Sequence, residues 1–477
     1  MNAPILLWLR RDLRLTDNPV MDWAARQGRP VIPVFVLDEV VAGWGAAPRW
    51  RLGLALGDFA ARLDGIGSRL ILRRGTASIV LPGLAAETGA DIVAWAPLHA
   101  ADEQDRDREV AEALDAAGVA VERHHGHTLW PPEAVKTGAG GYYKVFTPFW
   151  KAARQIDPGT PLAPVEALTP PGDWPAGDRL EDWSLGHDMR RGADVVGRHV
   201  RVGELAARER LVTFVEEGLD AYPEARDRLP EAQGTSTLSE NLTYGEISAR
   251  ECWAAARRVG SGTGMETFCK ELAWRDFAHH LAHHTPRLTR SNWKPDWDDF
   301  PWRGDSADAE AWRRGRTGLP VVDAAMREMF VTGRMHNRAR MLVASYLTKH
   351  MLTHWRIGCD WFADCLVDWD PANNAMGWQW VAGSGPDASP FFRIFNPETQ
   401  ARKFDPKDVY QDRWVAEIAA TPSDVALSYF DAVPRSWGLA PDDPYPEEPL
   451  VGLAEGRARA LEAFRARRDG DMADAAE

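Results

Sequence analysis

Over the first part of the chain, short apolar runs rich in β-branched residues alternate with longer stretches whose apolar positions recur every three to four residues. Ile5 to Leu9, Val31 to Leu37, Leu70 to Leu72, Ile92 to Trp95 and Val119 to Val121 read as strands. Pro19 to Arg26, Pro48 to Leu63, Ala77 to Thr88 and Asp102 to Ala117 read as helices between them. This alternation predicts a parallel sheet wrapped by helices. No GxGxxG follows the first strand, so an ordinary dinucleotide site is unsupported there.

From Ile156 to about Trp183 the pattern gives way to proline, glycine and acidic residues, which sustain neither a helix nor a central strand. A long surface linker is expected. Helical periodicity resumes in Glu204 to Glu217, Ser248 to Val259, Met265 to His284, Val321 to Thr332, Arg338 to Met351 and Leu453 to Arg467. The predicted organisation is an α/β domain over residues 1–130, an interdomain linker over 131–200 and a helical domain over 201–470. The closing DGDMADAAE reads as a short, solvated acidic tail.

With 477 residues, the chain can bury two or three cores. Its 45% hydrophobic and 26% charged residues are those of a soluble globular protein, and no apolar run is long enough to cross a bilayer. Ile5 to Trp8 is too short for a secretory segment and runs straight into Arg10 and Arg11. A cytoplasmic protein with no membrane partner is expected. The net charge of -14 argues against indiscriminate nucleic-acid binding, but Arg334, Arg338, Arg340, Lys349 and Arg356 fall in one stretch and suggest a local basic face. Cys252, Cys269, Cys359 and Cys365 form no CxxC pair, so buried reduced thiols are expected. His279, His280, His283 and His284 give HxxxH pairs without a nearby third ligand, and His124, His125 and His127 read as a solvated loop; no metal is assigned.

The densest chemistry lies between Gly333 and Pro397, in GRMHNRARM, DWDPANNAMGWQW and FFRIFNP. Interleaved arginines, acids, amides and indoles suit a buried flavin and a stacked base better than an aliphatic core, because buried amides and indoles need partners. On a helix, Asn337, Arg340 and Met341 share one face, with Arg338 on its flank. Taken alone, this segment has an alternative reading as a basic surface helix, and Asp368 or Asp370 before Pro371 as a plain helix start. Glu271 and Trp274 stand one helical turn apart.

WLRRDLRLTDNP (Trp8 to Pro19), GTSTLS (Gly234 to Ser239), ELAWRDF (Glu271 to Phe277), TGLPVVDAAMR (Thr317 to Arg327), MHNRARM, GWQW and FRIFNPETQ (Phe392 to Gln400) follow one another in a specific order and spacing. In these motifs the chain resembles the cryptochrome/photolyase family over nearly its whole length, and within it the bacterial (class I) cyclobutane pyrimidine dimer photolyases. The resemblance implies a Rossmann-like α/β antenna domain followed by an all-helical domain that binds FAD and damaged DNA, in a monomer. It assigns Tyr222, Thr235, Ser236, Thr237, Leu238 and Ser239 to FAD, the run from Thr235 meeting the diphosphate; the alternative for Ser239 is a plain helix cap. Arg340, Asp368, Trp369 and Asp370 match positions around the flavin, and Asn374 the position facing its reactive ring nitrogen. Glu271, Trp274, Asn337 and Asn374 are the implied catalytic residues. Arg226, Glu271, Trp274, Arg275, Asn337, Arg338, Met341, Trp380 and Gln400 match positions that meet DNA. Trp302, Trp355 and Trp378 match an electron-supplying chain, although with 22 tryptophans present each reads equally as packing.

The implied activity is a light-driven lyase in which excited reduced FAD donates an electron to a cyclobutane pyrimidine dimer, the ring splits and the electron returns. The alternatives are a (6-4) photoproduct photolyase, for which a pocket histidine is expected where this chain has Asn337 beside His336, and a cryptochrome blue-light photoreceptor. The retained dimer pocket and the short tail favour repair. Two departures stand out. Asp102, Glu103, Gln104 and Asp105 replace the tyrosine, acid, proline pattern of many relatives, and Gln104-Asp105 replaces the Asn-Glu of folate binders. A second antenna chromophore, methenyltetrahydrofolate or 8-hydroxydeazaflavin, is therefore left unassigned. Glu240 follows Ser239 where proline is common, which should alter helix entry.

Overall fold

Five strands form one all-parallel sheet: β1 (Ile5–Trp8), β2 (Val31–Leu37), β3 (Ile71–Arg74), β4 (Ile92–Trp95) and β5 (Ala120–Arg123), in the order β3-β2-β1-β4-β5. Ile5 pairs with Val31 on one side and Ile92 on the other, so β1 is central. β1 and β2 are buried along their whole length. That is why they read as unbroken apolar runs, since helices cover both faces of such a sheet. β5, at an edge, carries Glu122 and Arg123 and stays partly exposed. The helices Pro19–Arg26, Ala77–Thr88 and Ala101–Ala116 fall where periodicity puts them. Asn18 caps the first by accepting the N–H of Met21 at 3.2 Å, with Pro19 in the first turn.

This computed structural model describes residues 2–231 and 233–474, with side chains through Arg467. The last residues of the expected acidic tail, 475–477, lie outside them. Two compact units emerge, Met1–Asp188, Arg201–Pro223 and Thr235–Pro286 in the first, and Met189–Val200, Glu224–Gly234 and Arg287–Glu477 in the second. The first unit adds the helices Phe146–Ala153, Gly203–Thr213, Ala249–Val259 and Thr263–His284 to the sheet. The second is helical, its core built around Met326, Met329, Leu342, Leu347, Trp355 and Trp378.

The proline-rich segment runs over the surface largely without regular structure, as expected, but it is tied down by backbone hydrogen bonds. Thr169 accepts the N–H of Val31 at 2.9 Å, Val165 donates to Leu15 at 3.0 Å and Asp178 donates to Leu72 at 2.8 Å. Val165 and Leu168 are buried. Proline cannot join a central ladder, but its neighbours' amides and carbonyls still pair with strand ends. Two expected helices are also shorter than their periodicity. Gly203–Thr213 and Asn337–Ser345 each pass into a wide π turn, at Phe214–Gly218 and Tyr346–His350.

Candidate functional site

In the second unit, the Asn337–Ser345 helix starts on His336, whose Nδ1 accepts the N–H of Arg338 at 3.1 Å. Burial pushes this imidazole down to about 4, so it is a neutral acceptor near pH 7. Among the described residues its Nε2 is buried without a partner. One turn along, Arg340 donates from Nη2 to both oxygens of Asp368 at 2.9 and 2.8 Å, and from Nε to the Met335 carbonyl at 2.9 Å. The Asp368 side chain is 5% exposed and that of Arg340 29%. Asp370, not Asp368, makes the helix start: it accepts from the backbone N and from Nδ2 of Asn373, both at 2.8 Å, ahead of Pro371 in the Pro371–Ala382 helix. Asn374 turns its Nδ2 to the carbonyl of Cys359 at 2.9 Å and to its Sγ at 3.3 Å. Trp369 is half-buried against the same core.

Asn337 is exposed, while Met341, Trp380 and Gln400 are half-exposed. Arg338 reaches Asp227 at 2.7 Å and lies 4.4 Å over the ring of Phe404, four residues beyond Gln400 on the Pro397–Phe404 helix. Arg226 and Asp227 both act electrostatically on His336, which puts Arg226, Asn337, Arg338 and Met341 in one neighbourhood. The five cations expected to form one basic face do not. Lys349 is buried, donating to the carbonyls of Ala382 at 3.0 Å and Phe391 at 3.4 Å, and burial pushes its ammonium well below the usual lysine range. Arg340 faces Asp368, and Arg334 faces the His199 carbonyl at 3.0 Å. The five also fall on different stretches of chain: Arg334 precedes the Asn337–Ser345 helix, Arg338 and Arg340 are on it, Lys349 lies in Tyr346–His350 and Arg356 on the Trp355–Cys365 helix.

Trp302 and Trp355 flank His354, with ring centroids 5.8 and 5.6 Å away. Trp355 is fully buried and donates its indole N–H to Asn292 Oδ1 at 2.7 Å. Trp378 packs one turn further along the Trp355–Cys365 helix, at Gly358, where an added Cβ would lie 2.1 Å from its ring. Trp302 is half-exposed, whereas Trp355 and Trp378 are buried. Sequence reasoning missed His354, Gly358 and Asn292. The HWxxG spacing signals the first two; nothing local signals Asn292.

In the first unit, Tyr222 packs against Phe214 and Phe268 with centroids at 5.2 and 5.9 Å. Thr235, Ser236 and Thr237 are half-buried and lead into the short Ser239–Tyr244 helix. Thr237 sits at φ +52 and its carbonyl accepts from Arg210 at 3.1 Å. Leu238 occupies the cap position, and Ser239 is already helical with no capping bond. The plain-cap reading of Ser239 therefore fails. Glu240 explains the departure after it, since its buried carboxylate accepts the N–H of Arg201 at 2.9 Å, a bond proline at that place would not offer.

Glu271 and Trp274 are half-buried one turn apart on Thr263–His284. Trp274 stacks on Phe146 with centroids 3.6 Å apart and planes at 9°. Arg275 turns inward instead, donating to the His127 carbonyl at 2.9 Å and lying 3.1 Å from its Nε2. Beside it, Asp276 accepts from Leu129 and Trp130 at 2.7 and 3.1 Å, and burial pushes its carboxyl up to about 7. The fold also surrounds the HxxxH pair with rings that spacing could not foresee. The ring of His127 is 4.7 Å from that of His279, and the ring of His99 is 5.6 Å from that of His283. Burial holds His99 and His127 neutral. The departing segment from Asp102 is spent on helix entry: Glu103 accepts the N–H of Ala100 at 3.1 Å and Gln104 donates to the His99 carbonyl at 2.9 Å.

Residues 5–170 match the family model described as DNA photolyase, and residues 268–466 that of the FAD binding domain of DNA photolyase. The chain is 40% identical over 471 residues to the deoxyribodipyrimidine photo-lyase of Agrobacterium fabrum, covering 97% of this chain and 98% of that one. It is 32% identical to cryptochrome-1 of Arabidopsis thaliana, over 96% of this chain and 70% of that one. A solved structure, a bacterial class III photolyase from Agrobacterium tumefaciens, matches with TM-score 0.90 and 39% identity over 98% of both chains. The class I placement is thus unsupported. Among the described residues, no helix is long and apolar enough to cross a membrane. The side chains present suit FAD: the half-buried hydroxyls from Thr235 to Thr237 fit a diphosphate, and the Arg340–Asp368 pair with the oriented amide of Asn374 fits a flavin ring.

Proposed function

We propose, since this chain belongs to the cryptochrome/photolyase family and functions as a photolyase, that its substrate is the cyclobutane pyrimidine dimer in DNA. Bound FAD supplies the light-driven electron chemistry. Tyr222 and the run from Thr235 to Ser239 hold its non-flavin part. Arg340, Asp368, Trp369 and Asp370 surround the flavin, and the Arg340 guanidinium balances the Asp368 carboxylate so that neither charge stands alone. Asn374 orients toward the ring, its amide nitrogen already engaged by Cys359.

On the substrate side, Glu271 bonds a dimer carbonyl and Trp274 packs on the dimer's flat face, backed by Phe146. Asn337, Arg338, Met341, Trp380 and Gln400, with Arg226, meet the DNA around the extruded lesion, since photolyases, like glycosylases and DNA methyltransferases, take their target base out of the stack. One copy of the chain acts on the damaged DNA. Trp302, Trp355 and Trp378 supply electrons from the surface.

The observation that carries the choice of lesion is the state of His336. A (6-4) photolyase needs an acid in the pocket, but this imidazole accepts the N–H of Arg338 and stays neutral. The test gives FAD-loaded, reduced protein two oligonucleotides, one with a cyclobutane dimer and one with a (6-4) photoproduct, under blue light. Restoration of the first alone is expected. Restoration of the second, or of neither, would sink the proposal.

A further inference from the structure

We infer that Asn292 is a positioning residue for electron supply: by holding the indole N–H of Trp355 it lets this buried ring carry positive charge despite the guanidinium of Arg356. The inference rests on the proposed chain of Trp378, Trp355 and Trp302.

Asn292 is 5% exposed, and its two halves are committed in opposite directions. Oδ1 accepts from Trp355 Nε1 at 2.7 Å, while Nδ2 donates to the Trp297 carbonyl at 3.1 Å and to Asp298 Oδ1 at 2.9 Å. With both acceptors on the nitrogen side, a flipped amide would face them with oxygen, so the orientation is fixed. The bond from Asn292, followed by that from Arg287, holds the Asp298 carboxyl below its ordinary range, so it is ionised. A relay therefore runs from the indole through the amide to a carboxylate. Neither other member of the chain has this: among the described residues, the indole nitrogens of Trp302 and Trp378 are buried without an acceptor.

Arg356 acts the other way. Its guanidinium lies 4.6 Å over the Trp355 ring, anchored by the Thr289 carbonyl at 3.2 Å. A cation there stabilises the neutral ring and repels a positive one. Without a counterweight, the guanidinium makes Trp355 harder to oxidise. Removing an electron from an indole turns its N–H into a charged donor, and charge-assisted hydrogen bonds are about twice as strong as neutral ones. The Asn292 bond thus strengthens only when Trp355 is oxidised.

The step balances simply. With FAD bound in an oxidised state, its light-excited flavin would take one electron from Trp378, leaving that ring a radical cation. One electron then passes from Trp355 to Trp378, which returns to its neutral form, and Trp355 becomes the radical cation. No proton moves, because an amide oxygen is too weak a base to take it. The positive charge leaves Trp378 before it can recombine.

Asn292→Leu in the FAD-loaded enzyme tests this. Ultraviolet resonance Raman, on protein with or without FAD, should lose one strongly hydrogen-bonded indole signal, the one also lost in Trp355→Phe. After a laser flash, the yield of surviving tryptophan radical should fall roughly tenfold, equivalent to about 1.4 kcal/mol. Adding Arg356→Gln to Asn292→Leu should restore it several-fold, whereas a merely structural role predicts a second loss. Asp298→Asn, at a side chain 45% exposed, should lower the yield by a smaller factor and covers the case in which Asn292→Leu does not fold. An unchanged yield in Asn292→Leu once the Raman signal is gone would overturn the inference, as would an unchanged yield in Asp298→Asn or no recovery with Arg356→Gln. Intact photoreduction in Trp355→Phe would instead remove the chain itself.

Discussion

Gly358→Ala offers a severe test of how the Trp355–Cys365 helix seats Trp378. The new Cβ would stand 2.1, 2.5 and 2.6 Å from three atoms of the Trp378 ring, and ordinary contact begins at 3.4 Å, so the ring must retreat by about 1.3 Å. It has little room, being 3% exposed and flanked by Phe362 and Trp312 with centroids at 4.9 and 6.1 Å. Overpacking of a tight core costs about 1–3 kcal/mol, and a displaced indole loses contacts as well, so about 3 kcal/mol is expected. At about 2 °C per kcal/mol for a large chain, Tm should fall by about 6 °C. Photoreduction should weaken with it, because the ring leaves its neighbours in the chain. Gly377→Ala is the control: it sits in an exposed helical position with nothing within 4 Å and should stabilise by up to about 1 kcal/mol. Thermal melts and flavin photoreduction of both variants give the answer. If Gly358→Ala melts and photoreduces like wild type, the close packing of Trp378 on that helix is wrong.

Asp368→Asn leaves Arg340 without its counter-charge; with Arg340 29% exposed, solvent softens the loss to about 2 kcal/mol, and the variant should shed FAD on gel filtration while wild type retains it. His336 binds a proton in the unfolded chain near pH 6.5 but in the folded one only near 4. Its contribution is therefore complete above about pH 6.5 and lost as pH falls toward 4, about 2 kcal/mol of it by pH 5. His336→Asn keeps an acceptor for the Arg338 N–H and should flatten this acid limb in melts at pH 5 and 7.5; an identical pH dependence would contradict the assignment. Trp302→Phe should abolish photoreduction yet spare repair by chemically reduced protein, as followed by absorption and by a lesion assay. Glu271→Ala should lower repair yield at saturating DNA far more than affinity, because its bond to the dimer tightens as the electron arrives; equal losses would remove that role.

Strands such as Ile5–Trp8 and Val31–Leu37 were legible because burial on both faces writes itself as an unbroken apolar run. The tethering of the segment after Ile156 was not, since its bonds to β2 at Val31 and to β3 at Leu72 use backbone atoms that composition cannot reveal. Lys349 looked like surface charge because its two carbonyl acceptors come from Ala382 and Phe391, far along the chain. The family motifs named the tryptophans and the Arg340–Asp368 pair. They did not name Phe146 behind Trp274, or Asn292, which is 63 positions from the indole it holds. Residues that support a site from a distance carry no local pattern, only the right side chain at the end of another element.

The most direct test of light-driven dimer repair is the anaerobic repair yield of a dimer-containing oligonucleotide mixed with photoreduced, FAD-loaded protein, compared between blue light and darkness. Intact pyrimidines should appear only in the light, with no net consumption of reductant, because the electron returns after each turnover. Equal yields in light and dark, or none in either, would contradict the account.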